Sequence, residues 1–265
     1  MEYFLKIPNI DLDSTLFCGQ CFRSTRLDTL RYLICSGTRQ VIALQVQDGV
    51  VLKNINESDL PYWHDYFCAD TDYAPIISQL SQDATLAEAC AFAPGLRLLK
   101  QKPFETLISF IISQNNNIPR IAGIIEKLCV LCGDVGDFPE PQELARFTEA
   151  DLSPLRAGYR ARYILDAAKK VNSGEISLDK VEQMGYNRAK QELMRICGVG
   201  SKVADCALLY GFGKLEAFPR DVWVERAMEQ YYPQTLALPE CAAGCEGIAQ
   251  LFLFHYIRNI GGNHA

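Results

Sequence analysis

The chain has 265 residues, enough for one or two compact domains, and 49% hydrophobic with 22% charged residues is the composition of a globular rather than a disordered or fibrous protein. It has no run of about 18 apolar residues, so we expect no membrane span. The net charge of −6 by itself argues against a nucleic-acid partner.

The first third of the chain predicts a small antiparallel sheet. Residues 30–35, 39–46 and 50–53 are β-rich, and the short breaks between them contain glycine; Asp48-Gly49 is a strong hairpin signal. The short loops favour an antiparallel meander. The N-terminal sequence also lacks the pattern of a signal peptide, and the 11 cysteines are an odd number, so we expect a reducing, intracellular location with free thiols.

Beyond about residue 60 the strand pattern stops and apolar residues recur at helical spacing. The predicted helices are 104–114, 118–132, 162–171, 187–196, 202–210 and 245–260. We therefore predict an α+β fold, in which a small antiparallel sheet domain over residues 1–95 precedes a larger all-helical domain over residues 96–265.

Charge is distributed unevenly along the chain. Residues 45–92 carry eight acidic side chains and a single base, whereas residues 156–170 carry five bases against one acid and residues 187–202 carry four bases against one acid. Such runs usually form solvated helix faces. Two short basic segments are nevertheless also compatible with a polyanionic partner.

The segment LMRICGVGSKVADC predicts two helices around a tight glycine turn, a hairpin at about residues 187–210. The N-terminus of the second helix leaves backbone N–H groups that suit a phosphate oxygen. Lys202 lies in the first turn of that helix, where the helix dipole disfavours an ammonium and favours the neutral, nucleophilic amine. Cys206 lies one turn further on the same face. Gly-x-Gly also occurs in helix–helix turns that have no binding or catalytic role. Lys202 is therefore the residue of this segment that indicates catalysis.

Asp221 follows Phe218-Pro219-Arg220 and precedes a helical stretch over residues 222–230. This pattern predicts a helix N-cap. A carboxylate at the mouth of a site that holds a neutral lysine can also stabilise positive charge on a sugar ring or assist proton transfer. Capping and catalysis are compatible roles.

Six motifs together resemble the helix-hairpin-helix (HhH-GPD) DNA glycosylases, and within them the 8-oxoguanine DNA glycosylase/AP lyases. In chain order they are CGQCFR, FIISQNNNIPRI, AGYRARY, GVGSKVADC, PRDV and IAQLFLFH. The resemblance covers nearly the whole chain. It implies a TBP-like sheet domain followed by an HhH-GPD glycosylase body.

The resemblance also implies a bifunctional base excision repair enzyme that flips 8-oxoguanine, opposite cytosine, out of duplex DNA. Lys202 would attack the sugar C1′ and form a Schiff base that permits β-elimination, and Asp221 would stabilise the developing positive charge. Ordinary hairpin contacts to a DNA phosphate would come from Gly198, Gly200 and Ser201.

The resemblance assigns a pocket to the damaged base. Phe254 would stack on one face of the base, and Cys206 would lie on the other. Gln250 would bond to its Watson–Crick edge. The Gly19 carbonyl would accept the N7–H that 8-oxoguanine has and guanine lacks, which discriminates strongly because its loss leaves a buried acceptor unpaired.

A second group would fill the vacated stack and hold the orphaned cytosine, since tyrosine is a flat wedge and arginine and asparagine offer planar donors to a base edge. Its members are Asn115, Arg120, Tyr159 and Arg160. Without the order of the motifs, the asparagine run at Asn115 would be interpreted as the polar end of a helix. Tyr159 and Phe254 would be interpreted as ordinary core aromatics.

Further expectations concern cofactors and partners. The resemblance implies no required cofactor and no metal held by side chains, although a sodium or potassium ion could lie at the backbone carbonyls of Met194, Ile196 and Val199. The expected partner is duplex DNA containing 8-oxoguanine, and the protein is expected to act as a monomer without binding a membrane. Its expected location is the cytoplasm and nucleoid, or a nucleus. Two residues depart from the family pattern: Cys197 replaces a common proline, and Trp223 replaces a histidine near a DNA phosphate.

Several alternatives remain open at the level of sequence. The enzyme could be a monofunctional or alkylpurine-selective glycosylase, although Lys202 argues against a monofunctional one. A non-catalytic DNA-binding module would be expected to lack Lys202 or Asp221. The pairs Cys18-x-x-Cys21 and Cys129-x-x-Cys132 could hold zinc in an interaction protein. An iron–sulfur cluster is excluded because the C-terminal region has too few cysteines.

Overall fold

The computed structural model describes residues 1–134 and 136–261. Its N-terminal part is a five-stranded antiparallel sheet with the order β1-β5-β4-β3-β2. The strands are β1 (Glu2–Lys6), β2 (Ser24–Arg26), β3 (Arg31–Ser36), β4 (Arg39–Val46) and β5 (Gly49–Lys53). The predicted meander is confirmed for β3, β4 and β5, and β1 returns to pair with β5, with Glu2 opposite Lys53.

The rest of the described chain is helical. The helices are α1 (Leu12–Phe17), α2 (Leu60–Tyr66), α3 (Tyr73–Leu80), α4 (Ala84–Phe92), α5 (Pro103–Ser113), α6 (Ile118–Cys132), α7 (Pro141–Leu144), α8 (Arg160–Asn172), α9 (Leu178–Gln183), α10 (Tyr186–Leu193), α11 (Ser201–Phe212), α12 (Val222–Tyr231) and α13 (Glu246–Gly261). Each helix predicted from the spacing of apolar residues is present. One-turn 3₁₀ helices occur at Glu57–Asp59, Ser153–Leu155 and Glu240–Ala242.

The sheet buries one face against α1 and α2. Ile34 and Ala43 on neighbouring strands are fully buried, and they pack in one cluster with Leu12 of α1 and Trp63 of α2. Alternation of buried and exposed positions along β3 follows from the period of two in a strand. The sheet domain therefore has a core of its own.

Two buried helices form the centre of the helical body. Nine of the 11 residues of α5 are buried, and so are residues 203–212 of α11. Gly211, near the end of α11, lies against Pro103 at the start of α5, and Ser113 at the end of α5 meets Lys202 at the start of α11. The two helices are therefore antiparallel, and their packing places Lys202 at one end of the core.

The two cores share the chain in an interleaved way. Tyr73 of α3 and Leu86 of α4 belong to the core of the helical body, whereas Leu99 belongs to that of the sheet. The predicted division at residue 95 thus falls after two helices that pack with the body. Within the predicted second domain, Val135 and residues 262–265 lie outside the described residues. No helix in the described part of the chain is long and apolar enough to span a membrane.

Candidate active site

A cleft of about 1020 Å³ opens where the loop after α1 faces the ends of α5, α11, α12 and α13. Four of the predicted site residues from separate parts of the chain line it together: Gly19, Lys202, Asp221 and Phe254. Asn115, Gly200 and Ser201 also line it. Residues far apart in sequence therefore converge on one cavity, as a site for a small chemical group requires.

Lys202 reaches the cleft from the first turn of α11. Its Nζ atom donates to Ser113 Oγ at 3.3 Å and lies 5.1 Å from the centre of the Phe110 ring. Ser113 Oγ in turn donates to the Phe110 carbonyl at 2.8 Å. No carboxylate forms a salt bridge with Lys202 among the described residues. The amine is thus held by one hydroxyl and an aromatic face, both supplied by the end of α5.

Asp221 is the N-cap of α12, as predicted. One carboxylate oxygen, Oδ1, accepts from the N–H groups of Trp223 at 3.0 Å and Val224 at 2.9 Å. These bonds fix the carboxylate at the positive end of the helix dipole. Because Asp221 also lines the cleft, a fixed negative charge faces the space beside Lys202.

The predicted damaged-base residues lie at two depths. Gly19 and Phe254 line the cleft, and the edge of the Phe254 ring lies 3.8 Å from the position of a Cβ atom built on Gly19. Gln250 and Cys206 are buried behind this surface. Gln250 Oε1 accepts from the Tyr210 hydroxyl at 3.2 Å.

The Cys206 thiol lies close to Lys202. Burial raises the pKa of Cys206 to about 11, and the positive Lys202 amine opposes that rise. The thiol is therefore protonated at neutral pH and behaves as a small apolar group. Contact of Cys206 with a bound base would require the cleft to open deeper than it does in this structure.

The predicted wedge and cytosine residues form one cluster at the rim. The Asn115 amide donates to the Tyr159 hydroxyl at 3.3 Å, and the Asn115 backbone has a left-handed φ of 46°. Tyr159 is 45% exposed. Arg120 is exposed and donates to the Arg156 carbonyl at 3.3 Å. Asn115, Tyr159 and Arg120 therefore offer accessible polar and aromatic groups to a partner.

Arg160 differs from the rest of this cluster because it is buried. Its guanidinium donates to the carbonyls of Ala157 at 3.1 Å and Asn115 at 3.0 Å, and also to Gln114. In this structure Arg160 holds the backbone that carries Asn115 rather than presenting its donors to the cleft.

The hairpin turn is braced from both sides. Gly198 has a φ of 77°, and a Cβ atom there would overlap the Tyr163 ring, so glycine is required at this position. Gly200 is the extended N-cap residue of α11 and Ser201 is exposed beside it. Asp166 accepts from the Cys197 N–H at 2.7 Å, a role that proline at this position could not fill.

The backbone carbonyls of this turn already attract one cation. Lys170 Nζ donates at 2.7 Å to the carbonyl of Arg195, the residue between Met194 and Ile196 in the sequence. The Ile196 carbonyl accepts from the Val199 N–H at 3.0 Å. The monovalent ion expected at Met194, Ile196 and Val199 stays a prediction.

The cysteine pairs Cys18/Cys21 and Cys129/Cys132 are the candidate zinc ligands that the sequence offers. Among the residues that the structure describes, no group of three or more His, Cys, Asp or Glu side chains is arranged to hold a metal ion. Cys18 packs in the core of the helical body and Cys21 in the core of the sheet. Burial raises the pKa of Cys18 to about 11 and that of Cys129 to about 11, which opposes the thiolate form that zinc binds.

Three site residues were missed in the sequence. Ser113 lies inside the FIISQNNN motif and holds the Lys202 amine. Arg226 lines the cleft, with its guanidinium 5.5 Å from the centre of the Trp223 ring. Arg258 lies one turn after Phe254, lines the cleft and donates to the Cys18 carbonyl at 3.3 Å. The four-residue spacing from Phe254 places Arg258 on the same helix face and was the available signal.

A helix-hairpin-helix that presents a lysine to a cleft, next to a capping aspartate, defines the class of helix-hairpin-helix DNA glycosylases. Comparison with known proteins gives the family. Residues 3–107 match the model of the 8-oxoguanine DNA glycosylase N-terminal domain, and residues 108–235 match that of the HhH-GPD superfamily base excision DNA repair proteins. The chain belongs to this 8-oxoguanine DNA glycosylase family of the HhH-GPD superfamily.

Individual relatives agree with that assignment. A probable N-glycosylase/DNA lyase of Methanothermobacter thermautotrophicus is 33% identical over 216 residues, covering 68% of this chain and 69% of the relative. The structure of MBOgg1 in complex with a low-affinity DNA ligand superimposes with a TM-score of 0.93 at 37% identity, covering 98% of this chain and 96% of the other.

A bacterial structure is similarly close. The Clostridium acetobutylicum 8-oxoguanine glycosylase/lyase, in complex with double-stranded DNA containing cytosine opposite 8-oxoguanine, superimposes with a TM-score of 0.90 at 33% identity, over 98% of each chain. The predicted family, fold class and enzyme class are therefore confirmed, and the comparisons do not support the alternative of a zinc-stabilised interaction protein.

Proposed function

We propose that this protein excises 8-oxoguanine opposite cytosine from duplex DNA and then cleaves the strand at the resulting site. The observation that carries the proposal is the position of Lys202, whose amine faces the cleft beside Asp221, held by Ser113 and the Phe110 ring. Relatives described as a probable N-glycosylase/DNA lyase and as an 8-oxoguanine glycosylase/lyase support the same activity.

The arrangement is suited to a covalent mechanism. The Lys202 amine bonds to C1′ while the glycosidic bond breaks, and the base leaves with the electron pair of that bond. The amine gives up one proton as the new bond forms, and the departing base takes one up. The fixed Asp221 carboxylate stabilises the positive charge that develops on the sugar. Ring opening gives an iminium, which acidifies C2′–H, so that loss of this proton expels the 3′ phosphate.

The test is trapping with borohydride on a duplex that carries 8-oxoguanine opposite cytosine, with unmodified guanine and an alkylated purine as controls. We expect a covalent adduct only with 8-oxoguanine, and its loss in Lys202→Gln while DNA binding survives. Lys53→Gln is the matched control, since Lys53 lies on β5 and pairs with Glu2 at 2.9 Å. Normal cleavage by Lys202→Gln would contradict the mechanism.

We propose further that the rim cluster recognises the orphaned cytosine. Tyr159 and Asn115 are exposed, bonded to each other and adjacent to the cleft, which suits insertion into a vacated stack. Arg120 is exposed and, within the described part of the chain, its guanidinium bonds to a single backbone carbonyl, so it can turn to a base edge. Arg160 is proposed to act on cytosine only after leaving the carbonyls that it holds.

Arg120→Ala is expected to relax the preference for cytosine as the opposite base. It should slow excision opposite cytosine less than a substitution of Lys202 does. A bidentate contact to a base is worth roughly 1–3 kcal/mol, so the preference should fall about fivefold or more. Excision rates measured opposite all four bases provide the check. An unchanged order and ratio of rates would assign Arg120 no role in this choice.

We propose that the protein needs no cofactor, works as a monomer on double-stranded DNA away from membranes, and acts where the genome is: in the cytoplasm and nucleoid, or in a nucleus. A sodium or potassium ion at the hairpin carbonyls is part of this proposal. DNA affinity measured in sodium, potassium and tetramethylammonium chloride at equal ionic strength tests it, because a bound small cation makes the affinity depend on ion identity.

A further inference from the structure

We propose that Arg258 is a positioning residue for recognition of the damaged base, because its guanidinium holds the peptide that sets the direction of the Gly19 carbonyl. This inference rests on the proposed function and on the role that the family resemblance implies for Gly19, whose carbonyl would accept the N7–H of 8-oxoguanine. It assigns to α13 a second contribution to specificity, beyond the stacking expected of Phe254.

The geometry around Gly19 carries the proposal. Arg258 Nη1 donates to the Cys18 carbonyl at 3.3 Å. The same Nη1 atom lies 3.8 Å from the position of a Cβ atom built on Gly19, as does the Phe254 ring edge, and the Ile118 side chain lies 3.1 Å from it. Gly19 is therefore enclosed by one aromatic, one aliphatic and one cationic group at the wall of the cleft.

Gly19 needs anchors on both sides because it has no side chain of its own. Its φ is 103°, a region that glycine enters at little cost and from which it can also leave easily. A rotation about Gly19 φ changes the direction of its carbonyl relative to the preceding peptide. A single well-aimed carbonyl therefore requires that both adjoining peptides be fixed.

The residue after Gly19, Gln20, is buried and is held by its side chain and by its own carbonyl, not through the peptide that carries the Gly19 carbonyl. The Gln20 side chain donates to the carbonyls of Thr15 and Arg97, both at 2.8 Å, and accepts from the Leu99 N–H at 2.9 Å. The Gln20 carbonyl accepts from the Gln101 side chain at 2.6 Å. This side of Gly19 is thus tied to the core of the protein.

The peptide before Gly19 depends on Arg258. The Cys18 thiol donates to the Thr15 carbonyl at 3.5 Å, a bond that holds the cysteine side chain and does not involve the plane of the Cys18–Gly19 peptide. The bond from Arg258 fixes that plane. Loss of the guanidinium would therefore misdirect the Gly19 carbonyl without touching Lys202 or Asp221.

A positioning role of Arg258 should affect excision of 8-oxoguanine and cleavage at an abasic site differently. Excision of 8-oxoguanine uses the Gly19 carbonyl, whereas cleavage at a preformed abasic site involves no base and uses Lys202 alone. A positioning role of Arg258 affects the first reaction and spares the second. A general loss of folding or of DNA binding affects both.

The experiment compares Arg258→Met, which keeps an aliphatic stem, with Arg258→Lys, which keeps the charge. Each is assayed in single turnover on a duplex with 8-oxoguanine opposite cytosine and by borohydride trapping on a duplex with an abasic site opposite cytosine. Arg31→Met, an exposed arginine on β3, is the matched control. Thermal melting confirms that each variant is folded.

We expect Arg258→Met to excise 8-oxoguanine about tenfold more slowly, the effect of losing one well-placed hydrogen bond to the base, while trapping at the abasic site stays within about twofold of the wild type. Arg258→Lys should recover part of the excision rate. Equal losses on both duplexes, or no loss on either, would overturn the proposal. Failure of the proposed function would be distinct, because the wild-type protein itself would then release no 8-oxoguanine.

Discussion

Two glycines of the hairpin, at positions 198 and 200, have different physical reasons to be there. Gly198 combines a φ of 77° with a close approach to the Tyr163 ring. Gly200 has an extended backbone, with φ of −91° and ψ of −177°, and nothing lies within 4 Å of a Cβ atom built there. The first glycine is required by the fold, whereas the second leaves open space at the N-terminus of α11.

Gly198→Ala should therefore destabilise the protein far more than Gly200→Ala. Backbone strain and overlap with Tyr163 are each worth roughly 1–3 kcal/mol, so the free energy of unfolding should fall by about 2–6 kcal/mol. Gly200→Ala should cost about 1 kcal/mol or less, since alanine is a poorer N-cap than glycine. Urea unfolding of both variants measures the difference, and equal losses would show that Tyr163 moves aside freely.

A buried ion pair joins the two helices of the hairpin. Lys190 Nζ of α10 donates to Asp205 Oδ2 of α11 at 2.7 Å, and the Tyr186 hydroxyl donates to Asp205 Oδ1 at 2.7 Å. Ser201, next to Lys202, lies 3.4 Å from the same carboxylate. The orientation of the first turn of α11 therefore depends on contacts with α10 as well as on the turn itself.

Lys190→Met should leave the Asp205 carboxylate buried without its cation. Breaking a buried pair in this way costs roughly 3–5 kcal/mol, and less here because Lys190 is partly exposed. Lys190→Met combined with Asp205→Asn should regain part of that loss, since no charge then remains to be buried. Denaturant unfolding of the single and double variants supplies the numbers, and a double variant no more stable than Lys190→Met would rule out charge burial as the cause.

The pair also has a defined dependence on pH. Burial by itself lowers the pKa of Lys190, but the bonds to Asp205 and Tyr186 and the charge of Asp205 raise it on balance. A lysine whose pKa is higher in the folded state stabilises the fold below its unfolded pKa and loses that contribution as the pH rises through the folded pKa. The hairpin brace is therefore fully present at neutral pH.

Sequence patterns predicted the longer elements and missed the shorter ones. The strands at 39–46 and the helix at 118–132 are long enough for a period of 2 or 3.6 to show. Apolar residues are spread around α4 rather than gathered on one face, so its clearest signal in the sequence is the capping Asp83, which accepts from the Leu86 N–H at 2.9 Å. β1 has a single buried residue, too few to show a period.

For the site, the sequence predicts the features that depend on local contacts and not those that depend on contacts between distant segments. Asp221 as a cap and Lys202 in a first turn are local features, so the sequence was sufficient to predict both. The burial of Gln250 and Arg160, and the bond from Arg258 to Cys18, depend on contacts between segments far apart in the chain. No periodicity or motif spacing encodes such contacts.

On the scale of the whole molecule, one buried cluster ties the sheet domain to the helical body. Arg23, before β2, donates to Glu105 of α5 at 3.2 Å, to the Gly37 carbonyl of the β3–β4 turn at 3.1 Å and to the Gly136 carbonyl at 2.7 Å. The other Glu105 oxygen accepts from the Gly37 N–H at 2.6 Å. Since α5 ends at the site of Lys202, this cluster sets the position of the sheet domain relative to the catalytic helices.

Arg23→Met should make stability fall as the pH rises, the reverse of the usual carboxylate behaviour. Burial raises the pKa of Glu105 and Arg23 opposes the rise, so removing Arg23 raises this pKa further. The folded state then holds the Glu105 proton more tightly than the unfolded state. The free energy of unfolding therefore decreases as the pH rises from the unfolded pKa, about 4.3, through the folded pKa.

At about pH 8 the free energy of unfolding of Arg23→Met should be roughly 3–5 kcal/mol lower than that of the wild type, which is the cost of an unpaired buried charge. At about pH 5 part of this stability should return, because Glu105 takes up a proton. Arg23→Met combined with Glu105→Gln is the control, because glutamine carries no charge at either pH and should make the difference between the two conditions disappear. Urea midpoints at both pH values decide the matter. If Arg23→Met were equally destabilised at both, its effect would come from the lost bonds to the Gly37 and Gly136 carbonyls, and the sheet domain would be held to the body by those backbone contacts rather than by the ion pair.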